Sequence, residues 1–292
     1  MRLGHADVGG QLGLVIEEDG EYFLPPDELA GQTLTQLLRN WVRTSEQLRK
    51  FRPAQKLHLS LAPVAPALPR PGKILCAGAN YVDHMKEMGL PQPPESANPF
   101  LFMKPASSVI GHNTVITTDT SAESRLDYEA ELGVVIGAAA KNLSPDDAAA
   151  VIAGYVVAND VSARAAFRVS EPLGPPFAFD WLAHKGQDGF CPIGPWFTPS
   201  WAVQNPNQLA VRTWVNGEQR QNGNTRDMLF SPARLIAFAS ALTTLEPGDV
   251  ILTGTPAGVA ASSGRFLQAD DSVTVWVEGV GSVTNVFQNR ST

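Results

Sequence analysis

The sequence has little of what defines several large protein classes, and each absence narrows the fold and function. Among 292 residues there are two cysteines, Cys76 and Cys191, and their spacing fits neither a zinc site nor a redox motif. We therefore expect two reduced, buried thiols. The sequence contains no apolar run of 18 residues, so no transmembrane helix is predicted.

Positive charge and targeting signals are also scarce. Lys and Arg number 22 against 29 Asp and Glu, and the net charge of −7 argues against nucleic acid or an anionic membrane as partner. The first residues lack the apolar segment of a signal peptide, so we expect a cytoplasmic protein. No segment matches a P-loop, a G-x-G-x-x-G fingerprint or a G-x-S-x-G elbow, which disfavours kinases, Rossmann dehydrogenases and α/β-hydrolases.

Hydrophobic residues make up 43% of the chain, which is enough for a sizeable core. Their pattern along the chain suggests two structural units. Residues 1–62 predict a small N-terminal module with a hairpin over residues 12–24 and an amphipathic helix over residues 34–42. Four prolines then fall within nine residues, namely Pro63, Pro66, Pro69 and Pro71. They predict an extended linker over residues 63–71, followed by a main domain over residues 72–292.

Strands dominate the predicted elements of the main domain. The clearest cover residues 73–76, 128–136, 155–158, 209–215, 250–253 and 273–277. Asn216 and Gly217 predict a type I′ hairpin turn. Ser144 and Ser231 each precede a proline, which predicts N-caps for helices over residues 146–153 and 233–242. The pattern lacks steady β-α alternation, and we expect a β-rich α+β fold.

Three acids in this domain suggest a metal site. Glu129 and Glu131 are two apart in a predicted strand over residues 126–136, so their side chains should share a face. Asp160 ends the next apolar run, where it could meet them. Three carboxylate oxygens favour Mg²⁺, Mn²⁺ or Ca²⁺ over zinc. The alternatives are a solvated strand face for the glutamates and a turn-closing role for Asp160.

A histidine and a glutamate suggest proton transfer. Residues 80–89 read as a short helix with Asn80 as N-cap and Gly89 after its C-terminus. His84 and Glu87 are three apart and should share a helix face, where the carboxylate would make the imidazole a better base for activating water. The alternative is an exposed surface pair.

Two loops suggest ligand contacts. Residues 253–258 follow an apolar strand, and their small residues would let backbone N–H groups converge on an anion beside the Thr255 hydroxyl. Lys185 could serve as the cation for a carboxylate or an enolate. The alternatives are an ordinary tight turn and a solvated lysine.

Together these motifs resemble the fumarylacetoacetate hydrolase family over about residues 72–288. The resemblance rests on five segments in the same order, which are GANYVDH at 78–84, FMKP at 102–105, DYEAEL at 127–132, ANDVSAR at 158–164 and PGDVILTGTP at 247–256. It implies a mixed β-sheet roll, usually a homodimer, with Mg²⁺ or Mn²⁺ held by three carboxylates. The metal-binding positions of the family match Glu129, Glu131 and Asp160.

The same resemblance implies roles for the other candidates. The catalytic positions of the family match His84, Glu87 and Lys185. Its substrate-binding threonine matches Thr255. A further lysine of the family matches Lys104, which we group with the substrate-binding residues. After NDVSAR the family usually has an aspartate and, two residues later, a glutamine that reaches substrate. This chain has Ala165 and Phe167 there, so Phe167 should line the pocket and favour a larger, more apolar acyl group.

The resulting hypothesis is a divalent-metal-dependent hydrolase. It would cleave a C–C bond in a 1,3-diketo acid or acylpyruvate through a stabilised enolate. Within the same family an oxaloacetate-type decarboxylase or a keto-acid isomerase or hydratase is the alternative. A non-catalytic paralogue that binds metal and ligand is the alternative from another class. The expected partner is a small keto or diketo acid.

Overall fold

The computed structural model describes residues 1–53, 56–57 and 64–290. The predicted boundary at residues 62–63, with Pro63 itself, lies outside the described residues, as do residues 291–292 of the predicted main domain. The division into module, linker and main domain therefore stays a prediction.

Strands make up more of the described chain than helices. The strands are β1 Arg2–Val8, β2 Gln11–Glu18, β3 Glu21–Phe23, β4 Lys56–Leu57, β5 Ile74–Gly78, β6 Phe100–Lys104, β7 Val109–Ile110, β8 Val115–Thr118, β9 Leu126–Asp127, β10 Ala130–Ile136, β11 Ile152–Asn159, β12 Ser162–Ala163, β13 Cys191–Pro192, β14 Thr198–Pro199, β15 Ala210–Val215, β16 Glu218–Asn224, β17 Val250–Leu252, β18 Ser272–Val277 and β19 Gly281–Asn289. The α-helices are α1 Leu34–Leu38, α2 Trp41–Lys50, α3 Val82–Glu87, α4 Pro145–Ala148, α5 Trp181–Lys185, α6 Pro232–Leu242 and α7 Ala260–Ser263.

These strands form mixed sheets. A six-stranded sheet has the order β14-β11-β10-β17-β5-β6, with β17 and β5 parallel and its other neighbours antiparallel. A five-stranded sheet has the order β16-β15-β18-β19-β8, with β19 and β8 parallel. The N-terminal strands form a four-stranded sheet in the order β1-β2-β3-β4. The predicted β-rich α+β class with mixed sheets is confirmed.

The six-stranded sheet is buried on both faces. Leu132 and Val134 of β10 face one side, where they share a core with the five-stranded sheet and α6. Val135 faces the other side and shares a core with Leu14 of β2 and with α1. A strand buried on both faces needs apolar residues at every position, which explains why β10, β11 and β17 read as unbroken apolar runs.

Local signals for turns and caps are confirmed. Asn216 and Gly217 have φ values of 51° and 80° and join β15 to β16, as a type I′ turn requires. The Ser144 hydroxyl accepts the N–H of Asp147. The Ser231 hydroxyl caps α6 in the same way. The hairpin predicted over residues 12–24 is the pair β2 and β3.

Two helix predictions are wrong in extent. The helix predicted over residues 34–42 is two helices, because Asn40 has non-helical dihedrals between α1 and α2, and Val42 is 69% exposed. The helix predicted over residues 146–153 ends at Ala148 and continues as one 3₁₀ turn. Ile152 already pairs with Ile136 in the sheet ladder, because tertiary pairing outweighs local helix propensity there.

The described part of the predicted linker packs against the protein. Ala67 and Leu68 are buried in the same core as β1 and β2, and the Ala67 N–H donates to the Gly194 carbonyl at 3.1 Å. Cys76 and Cys191 are buried free thiols, as predicted. Within the described ranges no helix has both the length and the hydropathy needed to span a membrane.

Candidate functional site

Three carboxylates converge at one end of the β10–β11 pair. Glu131 lies in β10, Asp160 directly follows β11, and Glu129 precedes β10. One oxygen of each lies within 4.8 Å of the others, and all three residues are buried. The Asp160 N–H donates to the Glu129 carbonyl at 2.9 Å, which holds these two residues side by side. The structure therefore brings together the acids that the sequence singled out.

The strand predicted over residues 126–136 is nevertheless interrupted between β9 and β10. Side-chain amides replace the strand ladder at the break. The Asn159 side chain accepts the Glu129 N–H at 2.9 Å, and the Gln221 side chain accepts the Ala130 N–H at 3.0 Å. A single continuous strand is thus wrong, and the break together with the β10–β11 register places the acids.

Three buried or half-buried cations surround the acids. The Lys104 Nζ lies 2.5 Å from one Asp160 oxygen, and the Lys185 Nζ lies 2.8 Å from the other. The Lys185 Nζ also lies 2.9 Å from Glu129, and the Arg164 Nη2 lies 2.5 Å from the second Glu129 oxygen. Charge-assisted contacts of this length, away from water, are strong.

These contacts fix the protonation states of two groups. Burial alone would raise the pKa of Glu129, but the charges of Lys185 and Arg164 outweigh it and hold that pKa well below its usual range. Burial would lower the pKa of Lys185, but Asp160 and Glu129 outweigh it and raise that pKa. Glu129 is therefore an anion and Lys185 a cation at neutral pH.

Glu131 has a different environment. Its Oε2 accepts the Gly254 N–H at 2.6 Å, and no lysine or arginine of the described ranges forms an ion pair with it. Burial, then the charges of Asp160 and Glu129, raise its pKa well above the usual range. A buried carboxylate of this kind needs added positive charge to ionise. The all-oxygen donor set of Glu129, Glu131 and Asp160 therefore fits a divalent cation such as Mg²⁺ or Mn²⁺.

His84 and Glu87 form a directed pair on α3. The His84 Nδ1 and the Glu87 Oε2 are 2.7 Å apart, and His84 is 6% exposed, so the alternative of an exposed surface pair is wrong. The Glu87 Oε1 accepts the Gly258 N–H at 2.8 Å. Burial would raise the pKa of Glu87, but the bonds from His84, Ser262 and Gly258 lower it. Because an anionic Glu87 accepts from Nδ1–H, the His84 Nε2 is left as the basic atom.

The prediction for α3 is confirmed at its C-terminus and wrong at its N-terminus. Gly89 has φ 69° and its N–H bonds to the Lys86 carbonyl, as predicted for the residue after a helix C-terminus. Asn80 does not cap the helix. Its amide donates to the carbonyls of Phe230 and Thr253 and accepts the Phe230 N–H, which anchors the start of α3 to the residues before α6 and to the loop after β17.

The loop after β17 binds anions that belong to the protein itself. The Gly254 and Gly258 N–H groups point at Glu131 and Glu87, so they position the acids described above. The Thr255 hydroxyl donates to the Ala130 carbonyl at 2.9 Å. The expected cradle for a substrate anion is thus already used in part, although Thr255 still lines the cavity described next.

A cavity of about 310 Å³ opens beside the acids. Its lining residues are Ala77, Gly78, Ala79, His84, Met88, Phe100, Phe102, Glu129, Arg164, Phe167, Trp181, His184, Lys185 and Thr255. Charged and aromatic side chains share this lining, and the Lys185 Nζ lies 5.6 Å from the Phe102 ring centroid. A concave, mostly apolar site with a few convergent polar groups is the usual form of a small-molecule site.

The predicted site residues divide between the cavity wall and the layer behind it. His84, Lys185, Thr255 and Phe167 line the cavity. Glu87, Glu131 and Asp160 lie behind the wall. Lys104 also lies behind it, where its Nζ bonds Asp160 and the Val161 carbonyl. The substrate-binding roles of Thr255, Lys104 and Phe167 stay predictions.

Sequence reasoning missed much of the aromatic wall. Phe100 and Phe102 lie on the same face of β6 as Lys104, so strand alternation could have identified them. Trp181 and His184 lie on α5, which ends at Lys185, and no local pattern distinguishes them. Asp180 is the N-cap of this helix, and its side chain accepts the Ala183 N–H.

The chain is similar to proteins of one family along most of its length. Residues 73–288 match the family model described as fumarylacetoacetate (FAA) hydrolase C-terminal. The chain is 40% identical over 264 residues to oxaloacetate tautomerase FAHD2A, mitochondrial, of Homo sapiens, covering 89% of this chain and 81% of the relative. It is 40% identical over 214 residues to 2,4-didehydro-3-deoxy-L-rhamnonate hydrolase of Sphingomonas sp. (strain SKA58), covering 72% and 71%.

A solved structure agrees over the whole chain. Maleylpyruvate hydrolase from Sphingobium sp. SYK-6, in complex with manganese (II) ion and pyruvate, superposes with a TM-score of 0.75 at 27% identity, and the match covers 100% of both chains. The fold, the buried acids and the matched region lead to one conclusion. The chain belongs to the fumarylacetoacetate hydrolase family.

Proposed function

We propose that this protein is a divalent-metal-dependent hydrolase that cleaves a C–C bond in a 1,3-diketo acid or acylpyruvate. One observation carries the proposal. Three carboxylates suited to a hard cation lie beside a histidine whose Nδ1 is held by a carboxylate, and His84, Glu129 and Lys185 line one cavity. A relative solved with manganese and pyruvate supports both the metal and the keto acid.

The charged groups of the cavity lining suit the keto-acid end of the substrate. Glu129, Glu131 and Asp160 would hold Mg²⁺ or Mn²⁺, which when bound supplies Lewis-acid polarisation of carbonyl oxygens. Lys185 is a cation in the wall and would stabilise the negative oxygen of an enolate by a charge-assisted hydrogen bond. Thr255, whose hydroxyl donates to the Ala130 carbonyl, would contact the substrate from the cavity wall.

His84 and Glu87 would manage the protons. The His84 Nε2 would take a proton from water, and the resulting hydroxide would add to the acyl carbonyl carbon. The bond from that carbon to the methylene would then break, with its electron pair passing into the pyruvate enolate. Return of the proton to the methylene carbon gives pyruvate and a carboxylic acid, so water is consumed and atoms balance. Glu87 would stabilise the transient imidazolium.

Tautomerisation of a keto acid is the second candidate. The observation that favours it is the 40% identity with an oxaloacetate tautomerase over 89% of this chain. That reaction needs one proton moved between carbon and oxygen and no attack by water. Decarboxylation or isomerisation would use the same enolate, whereas a non-catalytic paralogue would not need the directed His84–Glu87 pair.

Assays of three substrates with the wild type and with one variant distinguish the hydrolase, the tautomerase and the non-catalytic paralogue. Acetylpyruvate, fumarylpyruvate and oxaloacetate are assayed with Mg²⁺ or Mn²⁺ for cleavage, decarboxylation and keto–enol exchange. We expect acylpyruvate cleavage by the wild type and a 10²–10⁴-fold lower kcat/KM in His84→Ala, the usual range for a lost general base. Lys86→Ala, an exposed change on the same helix, is the control.

Other outcomes would assign a different function. Fast keto–enol exchange of oxaloacetate with no acylpyruvate cleavage would replace the hydrolase by the tautomerase. Binding without turnover of any of the three compounds would leave the non-catalytic paralogue.

We also infer a homodimer and a cytoplasmic location. The dimer is what the family resemblance implies, and Leu173, Phe177 and Leu182 are exposed apolar side chains that a contact between two copies would be able to cover. Light scattering on the purified protein should give twice the chain mass, and a monomer mass would refute the dimer. Fractionation of the source cells tests the location, since the Homo sapiens relative is named as mitochondrial.

A further inference from the structure

Aromatic rings form much of the cavity lining, and one of them, Phe102, lies beside the charged groups, with its ring centroid 5.6 Å from the Lys185 Nζ. The rings of Phe102 and Trp181 stack with centroids 4.8 Å apart, and Phe100 lies 5.2 Å from Trp181 on the same side. Phe167 meets Trp181 edge-on at 4.9 Å. Offset and edge-on aromatic contacts favour a planar guest over a branched chain of equal size. The walls therefore suit an aryl group.

One polar atom interrupts this aromatic surface. The His184 ring lies 4.8 Å from Phe167 and 5.9 Å from Trp181, lines the cavity and is 2% exposed. Its Nδ1 lies 2.9 Å from the Ala163 carbonyl oxygen. A carbonyl can only accept, so the Nδ1 carries the proton of that bond.

The other ring nitrogen is therefore an acceptor. Burial, then the positive charge of Lys185, lower the pKa of His184 to about 4, so the ring is neutral near pH 7. With the proton on Nδ1, the Nε2 presents a lone pair. Within the described ranges the hydrogen bond of the His184 ring is made by Nδ1. The Nε2 lone pair, on a residue that lines the cavity, is therefore free to accept from a ligand or from water.

We propose that His184 is a specificity-determining residue whose Nε2 accepts a hydrogen bond from a hydroxyl or N–H on the aryl group of the substrate. The substrate would then be an aroylpyruvate-type diketo acid whose ring carries a hydrogen-bond donor. The keto-acid end of this substrate rests on the proposed function, while the aryl end rests on the aromatic walls and His184 alone.

A pair of amide variants isolates the Nε2. His184→Asn places its amide near Nδ1, keeps a donor for the Ala163 carbonyl and removes the acceptor from the cavity. His184→Gln extends its amide oxygen toward the position of Nε2. Both are compared with wild type as Mn²⁺-loaded protein, and thermal unfolding shows whether each variant folds.

The probes are 4-phenyl-2,4-dioxobutanoate, its three monohydroxyphenyl isomers and acetylpyruvate. Binding is followed by quenching of tryptophan fluorescence, and cleavage by release of pyruvate. We expect wild type to prefer the phenyl compound to acetylpyruvate and to bind one hydroxyphenyl isomer about 3–10-fold more tightly than phenyl, the range for one neutral hydrogen bond. His184→Asn should abolish the hydroxyl preference, so that the phenyl and hydroxyphenyl compounds bind it equally, and His184→Gln should retain part of the preference.

Three results would overturn the proposal. These are equal affinity for phenyl and every hydroxyphenyl isomer, tighter binding of acetylpyruvate than of phenyl, or an unchanged hydroxyl preference in a folded His184→Asn protein. The proposed function can fail separately. A hydroxyl preference in binding with no cleavage would support the role of His184 and refute the hydrolase, whereas cleavage without the preference would do the reverse.

Discussion

At the scale of single residues, charge pairing separates Glu131 from its neighbours. Asp127 and Glu129 both bond Arg164, and Asp160 bonds two lysines. Glu131 receives only a backbone N–H, from Gly254, so its charge depends most on an added cation. Among the three candidate ligands it should therefore be the most sensitive to loss of charge.

Glu131→Gln should weaken Mn²⁺ binding strongly and leave the fold intact. The amide oxygen can still accept the Gly254 N–H, but the negative charge is gone. Since loss of a group that only supports a ligand costs 10–100-fold in metal affinity, loss of a ligand charge should cost at least about 100-fold. Calorimetric titration with Mn²⁺ measures this, with the exposed Glu28→Gln as the charge-matched control. Wild-type affinity in Glu131→Gln would refute its assignment as a ligand.

Phe167→Gln should shift substrate preference toward short, polar diketo acids. The ring lies in the aromatic wall, packed on Phe179 and Trp181 at 4.9 Å, so an amide there adds a donor and removes apolar contact. Burial of an aryl group contributes about 25 cal/mol per Å², and part of that is lost. The ratio of kcat/KM for acetylpyruvate to that for the phenyl compound should rise by about 10-fold. An unchanged ratio would mean that Phe167 only packs against its neighbours.

At the scale of secondary-structure elements, turns and helix caps were predictable from the sequence. Places where a side chain from a distant segment replaces a strand hydrogen bond were not. Ser144, Ser231 and the Asn216–Gly217 turn act within a few residues, and the sequence identified each of them. The break before β10 depends on Asn159 and Gln221, which are distant in sequence and bond the Glu129 and Ala130 N–H groups. No periodicity within one segment carries that information.

The contact between the N-terminal strands and α1 can be tested by measuring stability as a function of pH. His5 of β1 is buried, and its Nε2 accepts the Leu34 N–H at the start of α1 at 3.3 Å. Burial lowers the pKa of His5. A group with a lowered folded-state pKa binds fewer protons when folded, so its contribution to stability is present above about pH 6.5 and is lost as pH falls through the folded pKa.

The urea midpoint of wild type should therefore fall as pH drops from 7.5 to 5. His5→Gln keeps an acceptor for the Leu34 N–H but does not titrate, so its midpoint should fall less. All other residues are the same in the two proteins, so the difference between the two curves isolates His5. Parallel curves would show that His5 protonation does not contribute.

At the scale of the whole molecule, the six-stranded sheet positions the site by being covered on both faces. Its strand ends carry the acids, while α3, α5 and β6 add the histidine, the cations and the aromatic wall. The sequence identified Glu129 with Glu131, and His84 with Glu87, because the two members of each pair are close along the chain. It identified Asp160 because that residue follows an apolar strand. Of the aromatic wall it identified only Phe167, through the family resemblance, because Phe100 and Trp181 join that ring in the cavity lining only through the tertiary fold.

The most direct test of a metal-dependent keto-acid site is a titration of activity with Mn²⁺. Protein freed of metal by chelation is supplied with acetylpyruvate and, in a separate series, with 4-phenyl-2,4-dioxobutanoate, and pyruvate release from either compound is followed as Mn²⁺ is added. We predict no turnover without metal and recovery that saturates at one Mn²⁺ per chain. Undiminished turnover by protein with no measurable metal, or no turnover at saturating Mn²⁺ and Mg²⁺, would contradict the proposed metal-dependent hydrolase.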